Sequence, residues 1–296
     1  MMVRAVRQAR AFLPWLAAAL VSLAALPLSA EELVHFQNPQ HQLTLAAYLS
    51  RPPGDGPAPA VIMLHGCSGL VASERPTSLY RDWRDAFVKE GFVVLMVDSA
   101  SSRGFGQTCT AGEARKRMWA ERPSDAYAAL AFLQAQPFID PARVSLGGWS
   151  QGGGVVLLSV GRKSSGRPNP PPTHDFARAF ALYPGACSET LRSRPFVDAP
   201  PKSWVTDIHL LVLMGAADNW TPSGPCEAFL KGAWERGSPV EFHTYGGAAH
   251  GFDAPRSPTR AIEAYREGGW APVIGTDKEA RADAYERVRV FLQAMH

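Results

Sequence analysis

The chain has 296 residues, 46% of them hydrophobic and 19% charged, a composition typical of a globular protein with a sizeable core. Its formal net charge is +3, and Arg4, Arg7 and Arg10 account for that charge because the first thirty residues contain no acidic residue. The rest of the chain is close to neutral, which argues against a nucleic-acid partner.

The first thirty residues are typical of a secretory signal peptide. The three arginines precede an apolar stretch from Trp15 to Leu26, and Leu28-Ser29-Ala30 offers a cleavage site after Ala30. An uncleaved membrane anchor is the alternative, but the stretch is short for a spanning helix. We therefore expect a secreted or periplasmic protein with no membrane contact after signal removal, and a single domain over residues 31–296.

Beyond the leader, strand-like and helix-like stretches alternate. Residues 31–51 favour two antiparallel edge strands. Further strands are predicted at 60–64, 92–98, 144–147, 177–183, 209–214 and 240–245, and helices at 79–90, 123–136, 153–158, 224–236 and 277–294. The segment 99–117 is predicted to be a loop across the active-site face, with Ser124 as a possible cap of the next helix. This alternation predicts an α/β protein with a mostly parallel central sheet and helices on both faces.

The stretch Gly148-Trp149-Ser150-Gln151-Gly152 lies where a predicted strand turns into an apolar helix. That context is typical of the G-x-S-x-G nucleophile elbow, in which a strained turn points the serine hydroxyl out of the sheet. We expect the flanking glycines to be required because a Cβ there would collide with the neighbouring strand or helix.

A serine hydroxyl needs a base and a group that orients the base. In this architecture the chain order is serine, acid, histidine, each after the end of a strand. Asp218 and His250 meet both conditions, so the predicted catalytic residues are Ser150, Asp218 and His250. Asp253 is a less favoured alternative for the acid.

The oxyanion that develops during acyl transfer needs backbone donors. The N–H of Gln151, at the start of the helix, and the N–H of Cys67, after the strand at 60–64, are the candidates. We expect His65 to shape the Cys67 loop by hydrogen bonding.

Three further side chains are candidates for substrate binding. Trp149 and Trp220 flank catalytic positions and could line an acyl or alcohol site, with core packing as the alternative for both. Arg103 could meet an anionic substrate, although a solvated surface arginine is the more common case.

The four cysteines are Cys67, Cys109, Cys187 and Cys226, which allow three pairings. Export makes disulfides reasonable, and we favour Cys67 with Cys109 and Cys187 with Cys226, because each pair would link adjacent loops at the carboxyl ends of the strands. Free buried thiols are the alternative. No cysteine or histidine cluster suggests a metal site.

At several of these stretches the chain resembles the dienelactone hydrolase family of the α/β-hydrolase superfamily. The matching pieces are His65-Gly66-Cys67-Ser68-Gly69, Gly148-Trp149-Ser150-Gln151-Gly152-Gly153, the Asp218 loop and Tyr245-Gly246-Gly247-Ala248-Ala249-His250-Gly251-Phe252. The resemblance covers the chain from about Leu43 onward. It implies an α/β-hydrolase fold, a nucleophile–histidine–aspartate triad and no cofactor.

Two departures from the family bear on the substrate. The enzymes that give the family its name use cysteine as nucleophile, where this chain has Ser150. They also carry a glutamate just before the oxyanion residue, where this chain has Gly66. Both departures favour a general small-molecule ester or lactone over a cyclic dienelactone. The alternatives are a peptidase or acyltransferase with the same triad, or a non-catalytic binding protein on the same fold.

Overall fold

Eight strands form the central sheet of the molecule, which a computed structural model describes for residues 31–194, 196–266 and 269–294. The signal peptide predicted at residues 1–30 lies outside these residues. In chain order the strands are β1 (Glu32–Asn38), β2 (Leu43–Ser50), β3 (Ala58–Leu64), β4 (Val93–Asp98), β5 (Ile139–Trp149), β6 (Ala179–Leu182), β7 (Leu210–Gly215) and β8 (Val240–Tyr245).

The sheet is mostly parallel. Its spatial order is β1-β2-β4-β3-β5-β6-β7-β8. The pairings from β4 to β8 are parallel, and the β1–β2 and β2–β4 pairings at one edge are antiparallel. Every residue of β4 and β7 is buried, as expected for strands covered on both faces. The carboxyl ends of the parallel strands therefore meet at one edge, where their loops gather.

Five α-helices of the described residues pack around this sheet: α1 (Ser78–Lys89), α2 (Glu113–Gln134), α3 (Gln151–Val160), α4 (Ser223–Glu235) and α5 (Lys278–Gln293). Trp149 of β5 packs against Trp83 of α1, whereas a Cβ at the preceding Gly148 would meet Gly152 of α3. Because consecutive strand residues point to opposite faces, α1 and α3 cover opposite faces of the sheet. In the part of the chain that the structure describes, no helix has both the length and the apolar character needed to cross a membrane.

The second helix begins ten residues earlier than the sequence predicts. It starts at Glu113 and continues through Pro123, so the expected loop over 99–117 is shorter and includes a 3-10 turn at Ser101–Arg103. Tertiary contacts outweigh the proline, since the residues before it, Met118 and Trp119, are buried in the core. The prediction that Ser124 caps the helix is wrong. Ser124 lies inside α2, where its hydroxyl donates to the carbonyl of Glu121.

Two disulfides tie together segments at the carboxyl edge of the sheet. Cys67, after β3, is bonded to Cys109, before α2. Cys187, after β6, is bonded to Cys226 in α4. This is the pairing that the sequence favours, and all four cysteines of the chain are used, so the free-thiol alternative is wrong.

Replacing both Cys187 and Cys226 with alanine should lower the free energy of unfolding by about 2–4 kcal/mol. The bond spans 39 residues and restricts the unfolded chain over that distance. Denaturant unfolding of the wild type and the double variant measures the effect. After reduction the difference should shrink, because the wild type then lacks the same crosslink. A loss below about 1 kcal/mol under oxidising conditions would contradict a stabilising role.

Candidate active site

Ser150 occupies a strained turn between β5 and α3. Its φ of 53° and ψ of −117° lie outside the regions that residues with a side chain favour. The backbone around it fixes this conformation. Its N–H donates to the carbonyl of Leu182 at 3.0 Å, and its carbonyl accepts from the N–H groups of Gly154 and Gly185 at 3.0 and 2.8 Å. The turn has the geometry expected of a nucleophile elbow.

The glycines on either side of Ser150 are required by close backbone contacts. A Cβ at Gly148 would lie inside contact distance of the Gly152 carbonyl in α3, and a Cβ at Gly152 would collide with the Leu64 carbonyl at the end of β3. Backbone atoms cannot swing aside as a flexible side chain can. The collision that the sequence analysis expects, with the neighbouring strand or helix, is therefore present at both positions.

The side chains of Ser150, His250 and Asp218 form one hydrogen-bonded line. His250 Nε2 lies 3.0 Å from Ser150 Oγ, and His250 Nδ1 lies 2.7 Å from Asp218 Oδ2. With a carboxylate accepting at Nδ1, the proton of neutral His250 resides there, and Nε2 is free to accept the serine proton. The arrangement can abstract a proton from Ser150 and return it to a leaving group.

The loops after β7 and β8 hold this line together through backbone hydrogen bonds. The N–H of Ala216 donates to the carbonyl of Tyr245 at 2.8 Å, and the N–H of Ala217 donates to the carbonyl of Ala248 at 3.0 Å. Because β7 and β8 are adjacent parallel strands, Asp218 and His250 emerge side by side. Asp253 is engaged elsewhere, so Asp218 is the acid in contact with His250.

Thr221 is a site residue that the sequence analysis missed. The N–H groups of Trp220 and Thr221 each donate to Asp218 Oδ1 at 2.8 Å, and Thr221 Oγ1 donates to Asp218 Oδ2 at 2.7 Å. Burial alone would raise the pKa of Asp218, but His250 and these hydrogen bonds outweigh it and lower the pKa below its ordinary value. The Asp-x-x-Thr spacing, typical of an Asx-type turn, is the signal that could have found it.

The two N–H groups predicted as oxyanion donors belong to residues beside Ser150. Cys67 and Gln151 both line the cleft that contains Ser150. Gln151 is the first residue of α3, so its N–H has no acceptor within the helix. The loop that carries Cys67 approaches closely, because a Cβ on Gly66 would lie 3.4 Å from Ser150 Cβ.

His65 shapes the Cys67 loop by hydrogen bonding, as the sequence predicts. Its Nδ1 lies 2.7 Å from the carbonyl of Gly66, and its Nε2 accepts from the N–H of Ala100 at 3.3 Å. Complete burial and the nearby Arg122 cation hold the pKa of His65 well below its ordinary value. The imidazole is therefore neutral, with its proton on Nδ1.

A cleft of about 180 Å³ opens at Ser150. Its walls include three aromatic side chains, Trp119, Phe196 and Trp220, and the Cys67–Cys109 disulfide. An adjoining cavity of about 370 Å³ shares Cys109, Arg115 and Trp220 with the cleft. Trp220 also packs on the His250 ring, with centroids 4.9 Å apart. Its part in substrate binding stays a prediction.

The prediction that Trp149 lines an acyl or alcohol site is wrong. Its side chain is fully buried, and its indole N–H donates to Asp253 Oδ2 at 2.8 Å. The same carboxylate accepts from Trp83 Nε1 at 2.7 Å and from the Tyr183 hydroxyl at 2.6 Å. As the last residue of β5, Trp149 points into the layer under α1, away from the cleft.

The prediction that Arg103 meets an anionic substrate is also wrong. Its side chain is fully buried and pairs with Asp125 at 2.8 Å and Glu121 at 2.7 Å. These two carboxylates satisfy its charge, so it has none to offer a ligand. A position in the sequence after β4 indicates nearness to the active-site edge but not the direction of the side chain.

Thr221→Val should destabilise the protein by about 1–2 kcal/mol at neutral pH, because the Asp218 carboxylate loses a buried hydrogen-bond donor. The lowered pKa of Asp218 means that this stabilisation is complete above the ordinary Asp value of about 4 and is lost as the pH falls through the folded-state pKa. Denaturant unfolding at a series of pH values measures both effects.

Thr221→Ser is the matched control, since it keeps the hydroxyl and should stay within about 0.5 kcal/mol of the wild type. A Thr221→Val loss that is the same at every pH would speak against a hydroxyl that acts on the carboxylate.

The comparison with known sequences identifies one family. Residues 45–296 match the model of the dienelactone hydrolase family. A candidate carboxymethylenebutenolidase of Synechocystis sp. is 26% identical over 266 residues, which are 86% of this chain and 94% of that protein. The quorum-quenching protein AidA of Acinetobacter baumannii is 32% identical over 145 residues, 47% of this chain and 44% of AidA.

Solved structures share the fold at low sequence identity. The dienelactone hydrolase-like promiscuous phosphotriesterase P91, from metagenomic libraries, has a TM-score of 0.65 and 17% identity, covering 91% of this chain and 99% of P91. Esterase 2 of Thermogutta terrifontis has a TM-score of 0.60 and 18% identity, covering 89% of this chain and 93% of the esterase. These likenesses place the chain among proteins with the α/β-hydrolase fold. Since the family model matches most of its length, this chain belongs to the dienelactone hydrolase family and is a hydrolase of ester bonds.

Proposed function

We propose that the protein is an exported serine hydrolase that cleaves a small carboxylic ester or lactone through an acyl-enzyme intermediate. The observation that carries the proposal is the line from Ser150 Oγ through His250 to Asp218, with contacts of 3.0 and 2.7 Å. These three residues are the proposed catalytic triad. No cofactor enters the proposed reaction.

In the first half of the reaction, Ser150 Oγ attacks the acyl carbon while His250 Nε2 takes the hydroxyl proton. The tetrahedral intermediate collapses, the bond to the leaving oxygen breaks, and His250 returns the proton to that oxygen. In the second half, water attacks the acyl carbon and gives a proton to His250 Nε2. The bond to Ser150 Oγ then breaks, His250 returns the proton to Oγ, and the acid is released. Asp218 stabilises the imidazolium that forms in each half, and its lowered pKa keeps it ionised for this task.

The N–H groups of Cys67 and Gln151 are the proposed oxyanion donors. Both residues line the cleft with Ser150. The N-terminal end of α3 adds a partial positive charge beside the developing oxygen. A single donor of this kind typically contributes about 3 kcal/mol of transition-state stabilisation.

The size of the cleft limits the substrate. A volume of about 180 Å³ suits a short acyl or alcohol group, and the remainder of a substrate would extend along Trp220 into the adjoining cavity. One relative is named for a lactone and a structural neighbour is an esterase. With Ser150 in place of cysteine and Gly66 in place of glutamate, a simple ester or lactone is the better proposal than a cyclic dienelactone.

Export is proposed on two grounds. The first thirty residues have the pattern of a signal peptide, and the two disulfides are of the kind that persists in oxidising compartments. The proposed mature protein is a single domain that begins at Glu31.

Ser150→Ala should lower kcat for p-nitrophenyl butyrate by a factor of about 10⁴ or more while leaving the unfolding free energy close to that of the wild type. A fluorophosphonate probe should label the wild type and not the variant. Ser165→Ala, at an exposed serine, is the matched control and should retain full activity.

The rival functions give different outcomes in the same experiments. Wild-type protein that is folded but neither hydrolyses esters nor reacts with the probe would favour a non-catalytic binding protein. Faster turnover of a peptide, or product formed on an added alcohol in place of water, would favour a peptidase or an acyltransferase. Full ester hydrolysis by Ser150→Ala would contradict the proposed mechanism.

Cell fractionation and mass spectrometry test the export. The mature protein should appear outside the cytoplasm with Glu31 as its first residue, because cleavage follows Ala30. Intact protein that starts at the initiating methionine and stays in the cytoplasm would contradict this part of the proposal.

A further inference from the structure

Arg122 is a fully buried cation that touches both halves of the proposed oxyanion site. It lies in α2, outside the cleft, and its side chain is 0% exposed. Its Nη2 donates to the carbonyl of His65 at 2.8 Å, and its Nη1 donates to Gln151 Oε1 at 3.2 Å. The guanidinium therefore joins the loop that carries Cys67 to the residue that carries the second proposed donor.

An ion pair does not account for the burial of Arg122. The carboxylate of Asp125, on the same helix, accepts from Arg103 and Asn38 instead. Among the described residues, Arg122 has two neutral acceptors, and its Nε has no hydrogen-bond partner. Burial lowers the pKa of Arg122 to about 10, which still leaves it charged at neutral pH. Asp125 and Asp98 favour the charge on Arg122 without hydrogen-bonding it, so its burial keeps a desolvation cost that its two neutral acceptors do not remove.

Two consecutive peptide groups of the loop are each held by a buried side chain, Arg122 for the first and His65 for the second. The peptide between His65 and Gly66 accepts from Arg122 at its carbonyl and donates its N–H to the Tyr80 hydroxyl at 2.7 Å. The next peptide accepts from His65 Nδ1 at its carbonyl, which leaves the Cys67 N–H on the opposite side of the peptide plane. Arg122 and His65 thus hold two adjacent peptide groups, the second of which carries the Cys67 N–H, so that N–H has a fixed direction.

The other half of the site is held in the same way. Gln151 is buried, and its Oε1 accepts from Arg122 and from Thr108 Oγ1, the latter at 3.2 Å. The N–H of Thr108 in turn donates to the carbonyl of Cys67 at 2.7 Å. Arg122, Gln151, Thr108 and the Cys67 loop thus form a closed ring of contacts behind Ser150.

We propose that Arg122 is a positioning residue that fixes the N–H groups of Cys67 and Gln151 relative to each other and favours negative charge between them. It does not touch the substrate and acts through the two segments that it bonds. The inference rests on the proposed function, since it concerns the oxyanion of that reaction. It assigns a role to a side chain outside the triad and outside the cleft.

Steady-state kinetics of Arg122→Gln and Arg122→Lys test the inference. Arg122→Gln should lower kcat for p-nitrophenyl butyrate about 10- to 100-fold and leave KM within about threefold, because the interaction matters in the transition state and not in substrate binding. Binding of a trifluoromethyl ketone, which forms a charged tetrahedral adduct with the serine, should weaken by a similar factor. Arg122→Lys keeps the charge and should recover part of kcat.

The acid limb of the pH profile separates positioning from damage to the triad. The pH at which kcat reaches half of its maximum on the acid side should be the same in Arg122→Gln as in the wild type, because the contacts of His250 are unchanged. Arg167→Gln is the control for loss of an arginine elsewhere, since Arg167 is partly buried and pairs with Asp175 at 2.9 Å. Its kcat should equal that of the wild type.

Gln151→Met keeps the test decisive if Arg122→Gln fails to fold. It removes the Oε1 acceptor but keeps the backbone N–H of residue 151, and it should lower kcat about threefold to tenfold with KM unchanged. Folded Arg122→Gln with kcat within about twofold of wild type, a loss confined to KM, or an unchanged Gln151→Met would overturn the inference. If Ser150→Ala is inactive, each of these results contradicts the role of Arg122 and not the proposed function. An active Ser150→Ala would contradict the proposed function itself.

Discussion

The backbone turn at Ser150 is the constraint on which the rest of the site depends. A positive φ at a residue with a side chain is costly, and here hydrogen bonds to Leu182, Gly154 and Gly185 compel it. The turn lifts Oγ out of the sheet to within 3.0 Å of His250 Nε2 and starts α3 at the next residue. The proposed nucleophile and one proposed oxyanion donor are thereby placed by a single local conformation, within reach of the proposed base.

The buried polar residues around this turn each hold a different part of the site. Asp253 accepts from Trp83, Trp149 and Tyr183 and so fixes the residue before Ser150 from beneath. Thr221 and two backbone N–H groups hold Asp218. Satisfied polar groups in a core are rigid because breaking any one of them strands its partner. A site with such support reorganises little when charge develops, which is the condition for electrostatic catalysis.

Local patterns in the sequence are enough to predict the strands, the turn at Ser150 and the meeting of Ser150, Asp218 and His250. Their success has a physical reason: in a parallel sheet, residues that follow apolar strands must meet at one edge. The wrong predictions concern the direction in which side chains point and the contacts between residues far apart in the chain. Trp149 and Arg103 lie near the predicted site but point into the core, and α2 continues through Pro123 because buried Trp119 precedes it. Arg122 carries no local signal, since its partners are 57 and 29 residues away in the chain.

Trapping the proposed acyl-enzyme would show whether Ser150 carries the acyl group during turnover. Mixing the enzyme with excess p-nitrophenyl butyrate, quenching with acid at short times and digesting the protein should yield a peptide heavier by one butyryl group. Fragmentation should place this group on Ser150, and its formation should keep pace with the burst of nitrophenol. Ester hydrolysis without any acyl peptide in the burst phase, or an acyl group on another residue, would contradict the proposed mechanism.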